Sequence, residues 1–135
     1  MKDKILGIQP LNTDIAALLL RLTFGGLFVY HGFPKLFEFD QALAVFPDVI
    51  GIGSKTSLIL VIFAEFFCGF FVAFGLLTRL TVIPIFITMT VAFFIAHAND
   101  PFQMKMLPFL YWLLSYVIFA LGSGKYSIDR LIFKK

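Results

Sequence analysis

The chain has 135 residues, of which 60% are hydrophobic, 19 are Phe and only 14% are charged, and its mean hydropathy is +0.95. That is too little polar surface for a water-soluble domain, so composition excludes a soluble enzyme and places the chain in a membrane. The formal net charge of +3 reads as an orientation signal and not as a nucleic-acid footprint. Cys68 is the single cysteine, which excludes disulfides, thiol pairs and cysteine-rich metal sites within one chain.

The N-terminal MKDKILGIQPLNTD sets positive charge ahead of an apolar run, as a secretory signal does. The run is long, contains Arg21 and has no small-x-small cleavage pattern, so it is expected to stay as the first span. Four apolar runs, residues 15–33, 57–77, 80–98 and 106–122, each approach the roughly 20 residues that cross a bilayer as a helix. The expected fold is all-α: a single domain over residues 1–135, an integral membrane four-helix bundle.

The first outer loop, PKLFEFDQALAVFPDVIGIGSKT, mixes large apolar residues with Glu38, Asp40 and Asp48. A short amphipathic helix at about residues 40–46, lying at the interface, is expected there. The turn GLLTRL between spans two and three is very short, with Gly75 able to end one helix and Thr78 able to cap the next, which makes the two spans an antiparallel hairpin. Pro84 is read as a first-turn proline. The C-terminal GSGKYSIDRLIFKK alternates basic and apolar residues, a composition suited to a cytoplasmic-surface anchor on anionic lipid.

Outside the spans, Lys2, Lys4, Arg79, Lys125, Arg130, Lys134 and Lys135 fall on one side and Lys35, Lys55 and Lys105 on the other. This asymmetry assigns both termini to the cytoplasm.

Polar groups inside the spans need compensation. Arg21 keeps its proton, and a central membrane arginine costs at least about 2.5 to 3.5 kcal/mol. At four-residue spacing its neighbours are Ala17 and Gly25, with Gly26 beside them, a small-residue face that packs against another helix. Glu65, Gly69 and Ala73 repeat the pattern in span two, so both charges are expected to face inward. By helical rise the axial gap between Arg21 and Glu65 is about 7 to 8 Å. Helical side chains lean toward their own N-terminus, sending these two apart and favouring a histidine as Glu65's partner.

His31 and His97 lie near the outer ends of spans one and three, and Lys35 follows His31 by four residues if the helix runs past Pro34. An outer-half cluster of His31, Lys35, Glu65 and His97 is the candidate site. A histidine that changes charge near neutral pH, beside a buried carboxylate and an aromatic wall of Tyr111 and Trp112, has the groups to exchange protons with a lipid-soluble quinone. The competing readings are a structural Arg21–Glu65 ion pair, histidines that cap helix ends, and Tyr30, Tyr111 and Trp112 as interfacial belt aromatics. No metal site is expected, because two histidines and one carboxylate on three helices do not make a ligand motif.

The stretches RLTFGGLFVYHGFPKLF, AEFFCGFFVAFGLLTRL, His97 at the close of span three and GSGKYSID after span four resemble the DoxX family of small four-helix bacterial membrane proteins. The resemblance covers nearly the whole length. It implies an inner-membrane bundle. Some relatives are subunits of thiosulfate:quinone oxidoreductase, and others associate with membrane-bound oxidoreductase or oxidative-stress complexes. On the redox hypothesis His31 and His97 are the proton-exchanging groups, Glu65 orients them, Arg21 is a structural counter-charge, and Arg21, Lys35, Tyr111 and Trp112 are the binding residues. Arg79 and Asp129 are assigned to the cytoplasmic interface. The expected partners are the bilayer, a soluble or membrane redox subunit and a second copy of the chain; the expected lipophilic cofactor is a quinone. The alternative is a non-enzymatic membrane module, an assembly factor or small-molecule carrier, whose polar cluster holds helices or lines a cavity.

Overall fold

A computed structural model describes residues 1–133, all-helical apart from turns and loops. A short α1 (Lys2–Ile5) precedes α2 (Thr13–Phe37), the first span. The side chain of Asn12 starts α2 by accepting a bond from Ile15 N at 3.0 Å, as an N-cap does. α3 (Phe39–Val45) follows directly and is the short helix expected in the first long loop. The second span is Ser54–Phe74, made of α4 (Ser54–Ile62), a π turn (Phe63–Phe67) and α5 (Cys68–Phe74). The third is Thr78–Ala96, made of α6 (Thr78–Val91) and a second π turn (Ala92–Ala96). The fourth is α7 (Phe102–Leu121), and the chain closes with α8 (Ile128–Ile132).

All four long helices have the length and composition to cross a membrane. Their packing has the matching inside-out character. Leu19, Leu27, Phe63, Ile87 and Leu113 are exposed on the outside of the bundle, an apolar surface suited to contact with lipid. Inside, Phe24, Phe28, Cys68, Val72, Val82, Ile85, Met89, Tyr111 and Ile118 form one core. The protein is a multi-pass membrane protein, and its four spans put α2 and the tail after α7 at the same end of the bundle, where Lys125 N donates to Asp14 Oδ1 at 2.9 Å.

Glycines set how closely α2 meets the second span. A Cβ on Gly25 would stand 2.5 Å from Gly69 O and 2.6 Å from Ala73 N, whereas one on Gly26 would meet nothing within 4 Å. Of the two glycines on the small-residue face, only Gly25 is therefore in the helix–helix contact.

The turn between the second and third spans corrects one sequence expectation. Gly75 ends α5 in the left-handed region, φ 72°, with Leu76 N bonded to Phe71 O and Gly75 N to Val72 O, the Schellman arrangement. Thr78 does not cap α6. Leu77 enters the left-handed region at φ 48°, and the carboxylate of Asp129 takes the free amides, Oδ1 from Leu77 N at 2.6 Å and Oδ2 from Thr78 N at 3.1 Å. A carboxylate from the tail satisfies two donors that one hydroxyl would not.

Pro84 is also corrected: α6 begins at Thr78, so this proline lies within the helix and not in its first turn. Spans tolerate such a proline, and beyond it Thr88 Oγ1 donates to Pro84 O and Thr90 Oγ1 to Phe86 O, each at 2.8 Å.

Candidate functional site

The polar cluster forms where α2 meets the π turn of the second span. A Cβ on Gly32 would lie 2.8 Å from Phe66 N and 3.1 Å from Glu65 Cβ, so the absence of a side chain there lets the backbones touch. α2 continues past Pro34 to Phe37, which keeps Lys35 one turn beyond Gly32 on the same face. Lys35 Nζ then donates to Glu65 Oε2 at 2.6 Å. The side chain of Glu65 is 9% exposed and that of Lys35 29%, so the carboxylate is enclosed while the ammonium reaches the rim.

The expectation that a histidine or Arg21 meets Glu65 is thus corrected. Lys35 lies outward of Glu65 along the bundle and leans back toward its own N-terminus, while Glu65 on the antiparallel helix leans outward. The two side chains converge.

His31 and Tyr111 complete the neighbourhood. Tyr111 is buried in the core, with its ring 4.7 Å from Phe28, 5.9 Å from Phe24 and 6.2 Å from His31. A belt position for Tyr111 is therefore wrong: its ring is held inside against Phe24 and Phe28 of α2. Tyr30 is 73% exposed, consistent with a belt.

Trp112 belongs to a different group. Its Nε1 donates to Thr90 Oγ1 at 3.0 Å, and its ring packs with Phe86, Phe94 and Phe109. One residue along α7 is a rotation of about 100°, so Trp112 packs on the edge of the core while Tyr111 lies within it. His97 is likewise engaged elsewhere: its Nδ1 lies 2.7 Å from Asp100 Oδ2 in the loop after the second π turn. The i, i+3 spacing in HAND carried that signal, and the sequence reading missed it.

Arg21 faces inward and is 1% exposed, as expected. Its partners are carbonyls: Nη1 donates to Ala73 O at 3.3 Å and Nη2 to Tyr126 O at 2.5 Å. Arg79 Nε donates to Phe119 O at 3.0 Å and its Nη2 to Ala120 O at 3.4 Å. Arg21, Arg79 and Asp129 together fasten the tail and α7 to the α5–α6 turn, and Asp129 N closes the knot on Gly75 O at 2.9 Å. No group of three or more His, Cys, Asp or Glu placed to hold a metal occurs among the described residues.

Residues 16–98 match the DoxX family, which is more than half of the chain. The protein belongs to the DoxX family. The matched region holds Arg21, His31, Lys35, Glu65 and His97, so the DoxX part of the chain contains the Lys35–Glu65 pair, while Tyr111, Trp112 and Asp129 lie beyond it. No curated protein and no solved structure matches this DoxX chain.

Proposed function

We propose that this DoxX protein is a bacterial inner-membrane subunit, with both termini in the cytoplasm, that anchors a soluble or membrane redox partner and contributes a proton-exchange site for a quinone. The observation that carries the reading is the Lys35–Glu65 pair, 2.6 Å long, held at a π turn, with His31 one helical turn before Lys35 on α2 and its ring 6.2 Å from that of Tyr111. π turns are frequent at functional sites, and ionisable groups within spans are costly and tend to mark functional sites.

The residues fit a quinone by donor chemistry. Lys35, Tyr111 and His31 each carry an N–H or O–H for a carbonyl oxygen, and the partial exposure of Lys35 gives access from the rim. A quinone, when bound, supplies a two-electron, two-proton acceptor. The role of the chain is to position it and deliver protons: Glu65 holds the Lys35 ammonium in place, and His31 relays between the cluster and the outside. His97, paired with Asp100, is left as a surface proton donor at the same end.

A second reading, the non-enzymatic module, is favoured by one observation. Arg21 and Asp129 spend their hydrogen bonds on backbone groups of the tail and the α5–α6 turn, a scaffolding use of buried charge.

Purification from native membranes in mild detergent, followed by mass spectrometry of attached proteins and lipophilic molecules and by a quinone-reduction assay, separates the two. On the first reading a redox protein and a quinone co-purify, and Glu65→Gln and His31→Gln each slow turnover by about 100-fold with the partner still attached. Unchanged turnover in both variants leaves the module reading.

A further inference from the structure

At the end of the bundle that carries the termini, the crevice between α6 and α7 opens into a cavity of about 480 Å³ bordered by Thr78, Arg79, Leu121, Gly122, Asp129 and Arg130. A second, wholly apolar groove of about 260 Å³ follows in the membrane zone, lined by Ile83, Phe86, Tyr116 and Phe119 among others. Both lie on one line. Leu80 and Ile83 are three residues apart on α6, Phe119 and Gly122 three apart across the end of α7, and each pair joins the polar cavity to the apolar groove on one helical face.

Arg79 bridges the junction. Two of its five N–H groups hold Phe119 O and Ala120 O, which leaves three for a ligand. Arg130 is exposed on the cavity rim. The Asp129 carboxylate, the one acid of the lining, faces Leu77 N and Thr78 N, from which it accepts; it keeps its charge, and two guanidiniums against one carboxylate leave the lining net positive. Thr78 Oγ1 is buried at the same wall without a hydrogen-bond partner among the described residues.

We infer that this crevice holds one anionic phospholipid, its phosphate between Arg79 and Arg130 and an acyl chain in the groove along Ile83 and Phe119. Charge selects the headgroup, since guanidinium forks match phosphate oxygens. The groove selects a lipid over a free anion, because its lining exposes no polar surface and it opens where acyl chains already lie. The inference is independent of the redox reading, which concerns the opposite end of α2.

The test is native mass spectrometry and thermal melting of the full chain in detergent with phosphatidylglycerol, phosphatidylcholine or inorganic phosphate added. Phosphatidylglycerol should remain bound and raise Tm by about 3 °C or more beyond phosphatidylcholine, with phosphate alone giving no comparable shift. Arg79 also holds α7, so the variants are Arg130→Gln and Ile83→Trp, both at exposed positions. Each should cut the phosphatidylglycerol shift at least by half while the unliganded Tm stays near that of the wild type. Equal shifts for the two lipids, a phosphate shift as large as that of phosphatidylglycerol, or a lipid shift unaltered in both variants would overturn the inference.

Discussion

Lys35 Nζ and Glu65 Oε2 are 2.6 Å apart across a contact that Gly32 makes close enough for the backbone of α2 to touch the π turn of the second span. Three local choices produce this one bond: a glycine where the helices cross, a helix that runs through Pro34, and antiparallel side chains whose leans converge. A bundle lacking any of the three would leave Glu65 buried and uncompensated, at a cost of several kcal/mol.

Double-mutant cycles therefore have a defined outcome. Glu65→Gln with Lys35→Gln should give a coupling energy above about 1 kcal/mol in detergent melts. Glu65→Gln with Arg21→Gln, whose side chains share no partner, should be additive within about 0.5 kcal/mol. Coupling to Arg21 and not to Lys35 would refute the pairing.

The bundle itself was legible because apolar runs of spanning length are unambiguous. Inward-facing Arg21 and Glu65 followed from small residues at four-residue spacing, and the short helix α3 from the mixed composition of the loop. The partners of the charges were not legible. Arg21 bonds to backbone carbonyls, of which one, Tyr126 O, is 105 residues away, and sequence carries no signal for which carbonyl a guanidinium will find. The π turns, too, left no periodicity signature in FAEFF or AFFIA, since every residue there but Glu65 is apolar. Lys35 was within the proposed cluster, and its role depended on whether α2 stopped at Pro34. Asp129 as a cap for a helix that starts 51 residues earlier is a tertiary substitute for the local Thr78, the kind of replacement that chain-local reasoning misses.

The adjacent glycines of α2 should behave oppositely. Gly25→Ala places a methyl against Gly69 O and Ala73 N, backbone atoms that cannot swing aside, and should destabilise by about 1 to 3 kcal/mol. Gly26→Ala meets open space and should stabilise by about 0.5 to 1 kcal/mol through helix propensity. Equal effects on melting temperature would mean that α2 is rotated relative to the arrangement described.

Orientation is testable by reporter fusion. The basic residues of the terminal end outnumber those of the loop end, so a reporter joined after Lys135 should be active only in its cytoplasmic form, and one inserted near Lys55 only in its periplasmic form. The reverse pattern would invert the topology and remove the cytoplasmic partner from the proposed function.

The tail provides the last prediction. Arg21 reaches Tyr126 O, Asp129 caps Leu77 and Thr78, Asp129 N bonds Gly75 O and Asp14 takes the amide of Lys125, so five hydrogen bonds tie residues 125–129 to the bundle. Asp129→Ala leaves two helix-start amides without their acceptor and should lower stability by about 1 to 2 kcal/mol. Because Leu77 then loses the bond that holds its positive φ, the turn should loosen as well as the tail. Arg21→Gln removes the link from inside and should release the same segment. Both variants should be cut by trypsin after Lys125 or Arg130 well before the wild type is, while cleavage after Lys55 in the distant loop keeps its wild-type rate. Faster cleavage at every site would signal general unfolding, and unchanged cleavage at Lys125 and Arg130 would show that Arg21 and Asp129 do not hold the tail.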